Sequence, residues 1–484
     1  MADFNPSEVQ ILKAELLSYD GITRRDISTN YIYGFEIAQS MDTVAYAGKL
    51  NIIDTSNLLE GMPIRGEETL NLVLRGTDLN TVVRIAGIIH KVDDISPAGN
   101  SGGLTYAIHF VSKESFKAST KNVMTSFQDM PSQMAYEIFK EYFVEDLGEA
   151  SYKDQDNDKI NLPYQTVRYP ITKNGDVKSD PDRHFVLQPA NNTTRVIIPD
   201  LKPTEAMFFV AARAFNPATP SQTFRFFETF DGFYWCTDEY FIRKANNTKG
   251  KIIDLFYAPV VDLDAKNAEA QLKRIETLHI LSKGIDTSTD LYSGAYTNEV
   301  VEIDLIKKKV DLKSFNYDNT EYIDMSGSKR SLSDNPHTEK FRKDTFTSDN
   351  ARRFMLFKNY NSPGDMVSAQ LPDARIPEIT SNRISYYHHL NNTSIIAQMK
   401  GRLDIRPGMI ANLEVKGMNS VADNFDANQS LSGRYLVQKT QHAQDENGTL
   451  QTTLQLAKFD WSGKQQLSST TTTDIPDEPI VGAR

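Results

Sequence analysis

Several stretches of this 484-residue sequence place chemically capable residues at spacings that known chemistries use. Gly99-Asn100-Ser101-Gly102-Gly103 fits the Gly-x-Ser-x-Gly pattern of serine hydrolases, in which a sharp strand-to-helix turn lifts the hydroxyl beside backbone donors. Here a strand-like segment follows, so the stretch reads as a hairpin turn. Asp154, Asp156 and Asp158 have the spacing of the first ligands of a calcium loop, but Lys159 stands where the loop needs Gly and Gln165 where it needs a bidentate Glu. His388 and His389 are adjacent, so in a strand they point to opposite faces and cannot share one ion. Glu228 and Asp231 form a carboxylate pair, yet in so acidic a chain chance pairs abound and nothing marks one as acid and the other as nucleophile. Asn191, Asn192, Asn246, Asn391 and Asn392 match or overlap sugar-acceptor sequons, which are idle without secretion. No catalytic, cofactor-binding or metal-binding residue is assigned, and no cofactor is expected.

The bulk properties exclude further classes. One cysteine, Cys236, allows neither an internal disulfide nor a zinc cluster built on several thiolates. With 64 acidic against 53 basic residues, the formal charge of -11 opposes nucleic acid, and the single dense basic run, Lys307 to Lys309, sits between two strand-like segments where it caps a turn. No apolar run reaches the length of a membrane span, and the first residues, Met1 to Pro6, lack the parts of a secretory signal, so a cytoplasmic chain of about two to four domains is expected.

The elements that would position any site are mostly strands. Val44, Tyr46, Gly48, Leu50 and Ile52 alternate with other residues, as do Leu70, Leu72 and Leu74; further strands are expected over Val82 to Val92 and Leu104 to Ser112, linked by the turn-rich Asp93 to Gly103. Met134, Ala135, Ile138, Phe139 and Tyr142 then fall on one helical face behind Pro131 and Ser132. Tyr152 to Pro199 is polar with little periodicity, a second helix is expected from Pro203 to Phe215, and Phe224 to Ile242 reads as a hairpin turning at Asp231-Gly232. Its Phe226, Phe230, Phe233 and Trp235 are read as core. Strands are expected again from Leu272 to Tyr317 around a short helix near Thr287 to Tyr296, and from about Ile384 to Phe459; Asp318 to Ser362 reads as a long loop and the last 25 residues as a flexible tail.

The two strand-rich ends resemble each other. Gly61-Met62 and Gly408-Met409 stand 28 and 29 positions before Ile89 and Val437. Ile88-Ile89-His90-Lys91-Val92, a polar turn and Gly103 to Phe110 then lie beside Leu436-Val437-Gln438-Lys439-Thr440, a polar turn and Gly448 to Leu456, which suggests two copies of one β-module. Three such chains would present six near-equivalent units, enough to mate a threefold object with a sixfold one.

Three segments resemble the baseplate central hub proteins of contractile-tailed bacteriophages, relatives of the late-control D proteins and of the upper part of type VI secretion spike proteins. They are Gly433-Arg434-Tyr435-Leu436-Val437 with His442, Gly448 and Thr452 to Leu456; Gly401 to Ile410, in which Pro407-Gly408 makes a tight corner; and Gly294 to Val300 with Val310 to Tyr317 after it. The resemblance implies a mainly β fold with an α+β insertion and two tube-like β-barrel modules per chain. The expected division is a first module over 1–120, a peripheral insertion over 121–266 and 320–394, a second module over 267–319 and 395–459, and a tail over 460–484. It further implies a homotrimer in the virion tail, assembled in the host cytoplasm. The expected partners are the spike, a tail-tube initiator or tube protein, the tape measure protein and the baseplate wedges, with DNA passing the lumen without specific binding. A type VI-like spike subunit, a tail-associated hydrolase and a carbohydrate-binding receptor protein are the alternatives.

Overall fold

A computed structural model describes residues 9–144, 165–169, 183–246, 251–258, 268–283, 287–316, 321–331, 352–357, 376–416, 431–444 and 448–459, less 29–30, 56, 63, 77–80, 99–101 and 392 within them. The expected Ser101 turn, the Asp154, Asp156 and Asp158 group, Asn392 and the C-terminal tail lie outside the described residues.

Where side chains alternate, strands form. The first group comprises β1 (Gln10–Leu17), β2 (Arg24–Asp26), β3 (Ile32–Ser40), β4 (Ala47–Asp54), β5 (Thr69–Arg75), β6 (Val82–Pro97) and β7 (Leu104–Ser112), with a short helix α1 (Leu58–Gly61) before β5. Leu70, Leu72 and Leu74 point inward and are fully buried, as are Leu50 and Ile52. The outer elements follow: α2 (Lys113–Ser119), β8 (Val123–Asp129), α3 (Pro131–Ile138) continued by a π-turn (Phe139–Phe143), β9 (Gln165–Tyr169), β10 (Arg183–Leu187), β11 (Thr194–Leu201), α4 (Pro203–Ala211), β12 (Arg225–Thr229), β13 (Gly232–Cys236) and α5 (Asp238–Asn246). Next come β14 (Ile252–Tyr257), α6 (Ala268–Lys273), β15 (Arg274–Lys283), α7 (Thr287–Ser293), β16 (Thr297–Asp304), β17 (Lys309–Asn316), β18 (Glu321–Ile323), β19 (Lys329–Ser331), β20 (Arg352–Phe357) and α8 (Ile376–Leu390). The chain finishes its order with β21 (Thr393–Lys400), β22 (Ile410–Val415), β23 (Gly433–Gln444) and β24 (Leu450–Lys458).

Thirteen strands form one sheet in the order β2-β1-β5-β6-β7-β4-β3-β23-β22-β14-β15-β21-β24, and β23 also pairs with β24. That extra pairing closes β23, β22, β14, β15, β21 and β24 into a six-stranded barrel, so the chain is mainly β with few helices. Smaller sheets of β12-β13-β10-β9, β11-β8, β17-β16-β20 and β18-β19 lie outside it.

The strand order β3-β4-β7-β6-β5 in the first group is the order β15-β21-β24-β23-β22 in the second. Registers match as well: Ile37, Gly48, Phe110 and Ile89 lie opposite one another in succession, as do Ile280, Ile395, Leu456 and Val437. Both long strands bulge one residue later, at His90 and at Gln438. Ile89 exchanges backbone hydrogen bonds with Glu67 and Glu68, and Val437 with Gly408 and Met409. Glu67 and Gly408 therefore occupy one position, and both hold a positive φ, 76° and 89°. This corrects the sequence comparison, because Gly61 ends α1 with Met62 as its cap, and Glu67 rather than Gly61 is the counterpart of Gly408. The sixth places differ: β1 runs antiparallel to β5, whereas β14 runs parallel to both β22 and β15. β14 belongs to this sheet although its residues fall within the span expected for the insertion.

Other expectations change for local reasons. β6 continues through Asp93 to Pro97, shortening the expected link. Asp238 and Glu239 follow the β12-β13 hairpin and start α5, where acidic groups suit the helix N-terminus, so the strand pattern expected to Ile242 stops at Cys236. The strand expected around Ile384 is α8 instead: Ser385 and His389 are four apart, as are Tyr386 and Leu390, and all are buried on one helical face. Tyr152 to Pro199 contains β9, β10 and part of β11, and Asp318 to Ser362 contains β18, β19 and β20, the last held by parallel pairing to β16.

The equivalent cores are filled differently. A Cβ on Gly48 or Gly87 would collide with the Phe110 ring, whereas Ile395 and Leu456 share the corresponding place in the barrel. Gly48→Ala is expected to destabilise the chain by about 1–3 kcal/mol through overpacking. Adding Phe110→Leu should return part of that loss, giving a non-additive double-mutant cycle in urea unfolding; strict additivity would contradict the compensation.

Candidate functional site

The residues that bind the outer elements to the large sheet converge where the two strand groups meet. There β23 changes partner: Gly433 to Leu436 pair with β22, and past the bulge Lys439 to Gln444 pair antiparallel with Ser40 to Phe35 of β3. Into this junction projects the β12-β13 turn, which the Asp231-Gly232 pair makes tight, with Gly232 at φ 137° against the backbone of His184. The Phe230 amide donates to Gln39 Oε1 at 3.1 Å, and its ring lies 5.8 Å from that of Tyr46 and 6.0 Å from that of His442. Arg406, in the corner before β22, donates to Asp231 at 3.0 Å and to the Leu403 carbonyl at 2.6 Å, and covers the Phe230 ring. One turn thus touches both strand groups.

A buried charge cluster backs this wedge. Arg183 donates to Glu114 at 3.0 Å, to Glu228 at 2.5 Å and to the Thr229 carbonyl at 2.9 Å, and lies against the Tyr46 and Phe233 rings. Ser115 donates to the second Glu228 oxygen at 3.2 Å. Burial pushes the Glu228 carboxyl up to about 7, against the pull of Arg183, with Glu114 adding repulsion. A second cluster joins Arg225 to Asp238 at 2.8 Å and to Asp42 of the β3-β4 link at 2.8 Å, with Tyr387 under the guanidinium. Beside it a cleft of about 590 Å³ opens next to the bulged Gln438. Burial holds His442 neutral, with its pKa pushed down to about 3.

These arrangements suit holding rather than reacting. Both Glu228 oxygens are engaged, and Asp231 faces Arg406 instead of Glu228, so the two carboxylates serve different partners. Cys236 is buried and contacts the Val186 carbonyl, and burial pushes its thiol up, away from the reactive thiolate. His389 sits inside α8 with Nδ1 on the Ser385 carbonyl at 2.7 Å. Gly102, at φ 70°, and Gly103 lead directly into β7, a strand-to-strand context. Asn192 ties Arg213 and Phe215 together, Asn246 bonds Ile242 and Met325, and Asn391 accepts from Gln438. Among the described residues no group of three His, Cys, Asp or Glu is placed to hold a metal, and no helix is long and apolar enough to cross a membrane.

Sequence reasoning brought Phe226, Phe230, Phe233 and Trp235 correctly into the core but missed Arg183, Glu114, Arg225 and Gln39. Arg183 stands in a polar stretch without periodicity, and nothing in its spacing signals burial.

No protein-family model matches the sequence, and no curated protein matches it. The chain is similar in structure, over most of its length, to solved tail proteins and to a secretion-system component. One is the tail protein from Neisseria meningitidis MC58, at 9% identity and TM-score 0.47 over 92% of this chain and 96% of that one. Another is the 43 kDa tail protein of prophage MuSo2 from Shewanella oneidensis, at 9% identity and TM-score 0.46 over 93% and 99%. A third is an Escherichia coli component of the type VI secretion system, described as structurally similar to bacteriophage T4 tail proteins gp27 and gp5; it matches at 10% identity and TM-score 0.36 over 94% and 77%.

Removing one member of the buried cluster leaves its partners uncompensated, so Arg183→Met is expected to cost about 3–5 kcal/mol in urea unfolding. Glu228 also sets a pH dependence. Folding raises the Glu228 pKa from 4.5 to about 7, so the proton it binds favours the folded state fully below pH 4.5, and that contribution is lost as pH rises through 7, where the carboxylate pair with Arg183 remains. His442 acts oppositely, its contribution being present above pH 6.5 and lost as pH falls through about 3. Between pH 4.5 and 7 the Tm of Glu228→Gln should therefore rise relative to wild type; a constant difference would remove Glu228 as the titrating group.

Proposed function

We propose that the chain is a structural subunit of a contractile phage tail, the trimeric central hub of the baseplate, and not an enzyme. The observation that carries this reading is the repeated five-strand order, with its shared bulge and shared positive φ at Glu67 and Gly408, inside one continuous sheet. Two modules per chain, over 1–120 and from β14 to residue 459 around the excursion, give a trimer six near-equivalent units. Such a ring mates a sixfold tail tube on one side with a threefold spike on the other. The sequence resemblance to hub proteins supports the same assignment.

In this reading the modules line the conduit and the net charge of -11 keeps passing DNA from being retained. The outer elements face the baseplate wedges, and the tube initiator, tape measure protein and spike meet the ring at its ends. Support for a structural role comes from the carboxylates at the junction, which are committed to Arg183, Arg225 and Arg406.

Native mass spectrometry of the purified chain is expected to give a trimer, and a tail reconstruction should place it between tube and spike. A chain that stays monomeric at high concentration and leaves no density at that junction would sink the proposal.

A further inference from the structure

The contact that joins the two strand groups within the chain has an unfinished counterpart on its surface. Past its bulge at Gln438, β23 leaves β22 and pairs with β3. Past the equivalent bulge at His90, β6 has left β5 and continues through Lys91 to Pro97 with β7 on one side only. The strand equivalent to β3 is β15, which pairs with β21 along its length but with β14 only at Arg274 and Ile275. Among the described residues nothing pairs with the remaining side of Lys91 to Pro97 or of Thr277 to Lys283. Each protomer therefore carries one strand edge of the β23 kind and one of the β3 kind, on different parts of its surface.

Burial follows the same division. Phe35 and Ile37 of β3, covered at the internal junction, are 1% and 0% exposed, while Leu278 and Ile280 at the corresponding places of β15 are only half-buried. Ile95 on β6 is 58% exposed and Leu281 on β15 is 48% exposed, large apolar groups on open strand edges. Pro97, lacking an amide hydrogen, marks where such a ladder would end.

We infer that the β6 edge of one protomer pairs antiparallel with the β15 edge of a second copy of this chain, repeating between subunits the β23-β3 contact made within each. The contact is heterologous, so it must close into a ring or run on as a fibre, and three copies alternating internal and external junctions close it with six. The register carries over from the internal pairing of Thr440 with Gln39 and Gln441 with Ala38: Val92 lies opposite Lys283 and Asp93 opposite Ser282 of the neighbouring copy. The inference rests on the trimeric hub reading and adds to it the surface by which the trimer forms.

The full chain carrying Asp93→Cys and Ser282→Cys together tests it, because directly opposed strand positions bring cysteines within bonding reach and Cys236 is buried. Mild oxidation is expected to give a dimer-to-trimer ladder on a non-reducing gel, with neither single variant cross-linking beyond background. Ile95→Lys with Leu281→Lys, at sites exposed in the lone subunit, should leave its Tm unchanged while raising the trimer dissociation constant at least tenfold. A native trimer that neither cross-links nor responds to the lysines overturns the edge pairing and leaves the hub reading standing. A monomer at every concentration overturns both.

Discussion

The architecture depends on one change of backbone partner. A strand can hydrogen-bond on two sides, and β23 uses one side throughout for β24 while dividing the other between β22 and β3. The bulge at Gln438 makes the division feasible, because an extra residue bends the strand and raises its local twist at the point where one partner ends and the next begins. Without that bend the six-stranded barrel and the first strand group would be separate bodies joined only by connecting chain. With it, thirteen strands share one ladder.

Side chains then lock the outer elements onto the ladder where it is least regular. The Phe230-Asp231 turn fills the junction with an aromatic ring and an ion pair, Arg225 ties β12 and α5 to Asp42 of the first strand group, and Arg183 ties β10 to α2 and lies against the Tyr46 ring. Buried ion pairs of this kind add little net stability over apolar packing, since desolvation offsets much of the attraction. Their directional bonds instead fix how the outer elements sit, because a shifted arrangement would strand a buried charge.

Much of this was legible in sequence. Leu70, Leu72 and Leu74 announce a half-buried strand through period two alone, Pro131 marks a helix start, and Pro407-Gly408 marks a corner that the structure closes with a Met409-to-Arg406 hydrogen bond. The β6-β7 and β23-β24 hairpins of the repeat were visible because turn chemistry and alternation are local. What sequence hid was non-local. Glu67 takes a positive φ that its type does not advertise, and its equivalence to Gly408 emerges only from the shared hydrogen bonds to Ile89 and Val437. α8 was mistaken for a strand because its buried face mixes Ser385 and His389 with Tyr386 and Leu390, blurring the apolar period. Arg183 and Glu228 look like surface residues until the fold surrounds them.

The β3-β23 ladder also has a temporal consequence. Its members are distant in sequence, with Gln441 bonding Glu36 across 405 positions. During synthesis the early strands must therefore wait with β3 unpaired on one side until nearly the whole β-rich chain has emerged, a delay that non-local sheets impose and that exposes them to mispairing. The intervening helices and hairpin, built from close contacts, can condense first and hold that edge in place. Folding order, on this account, is set by the distance between the two halves of a single ladder.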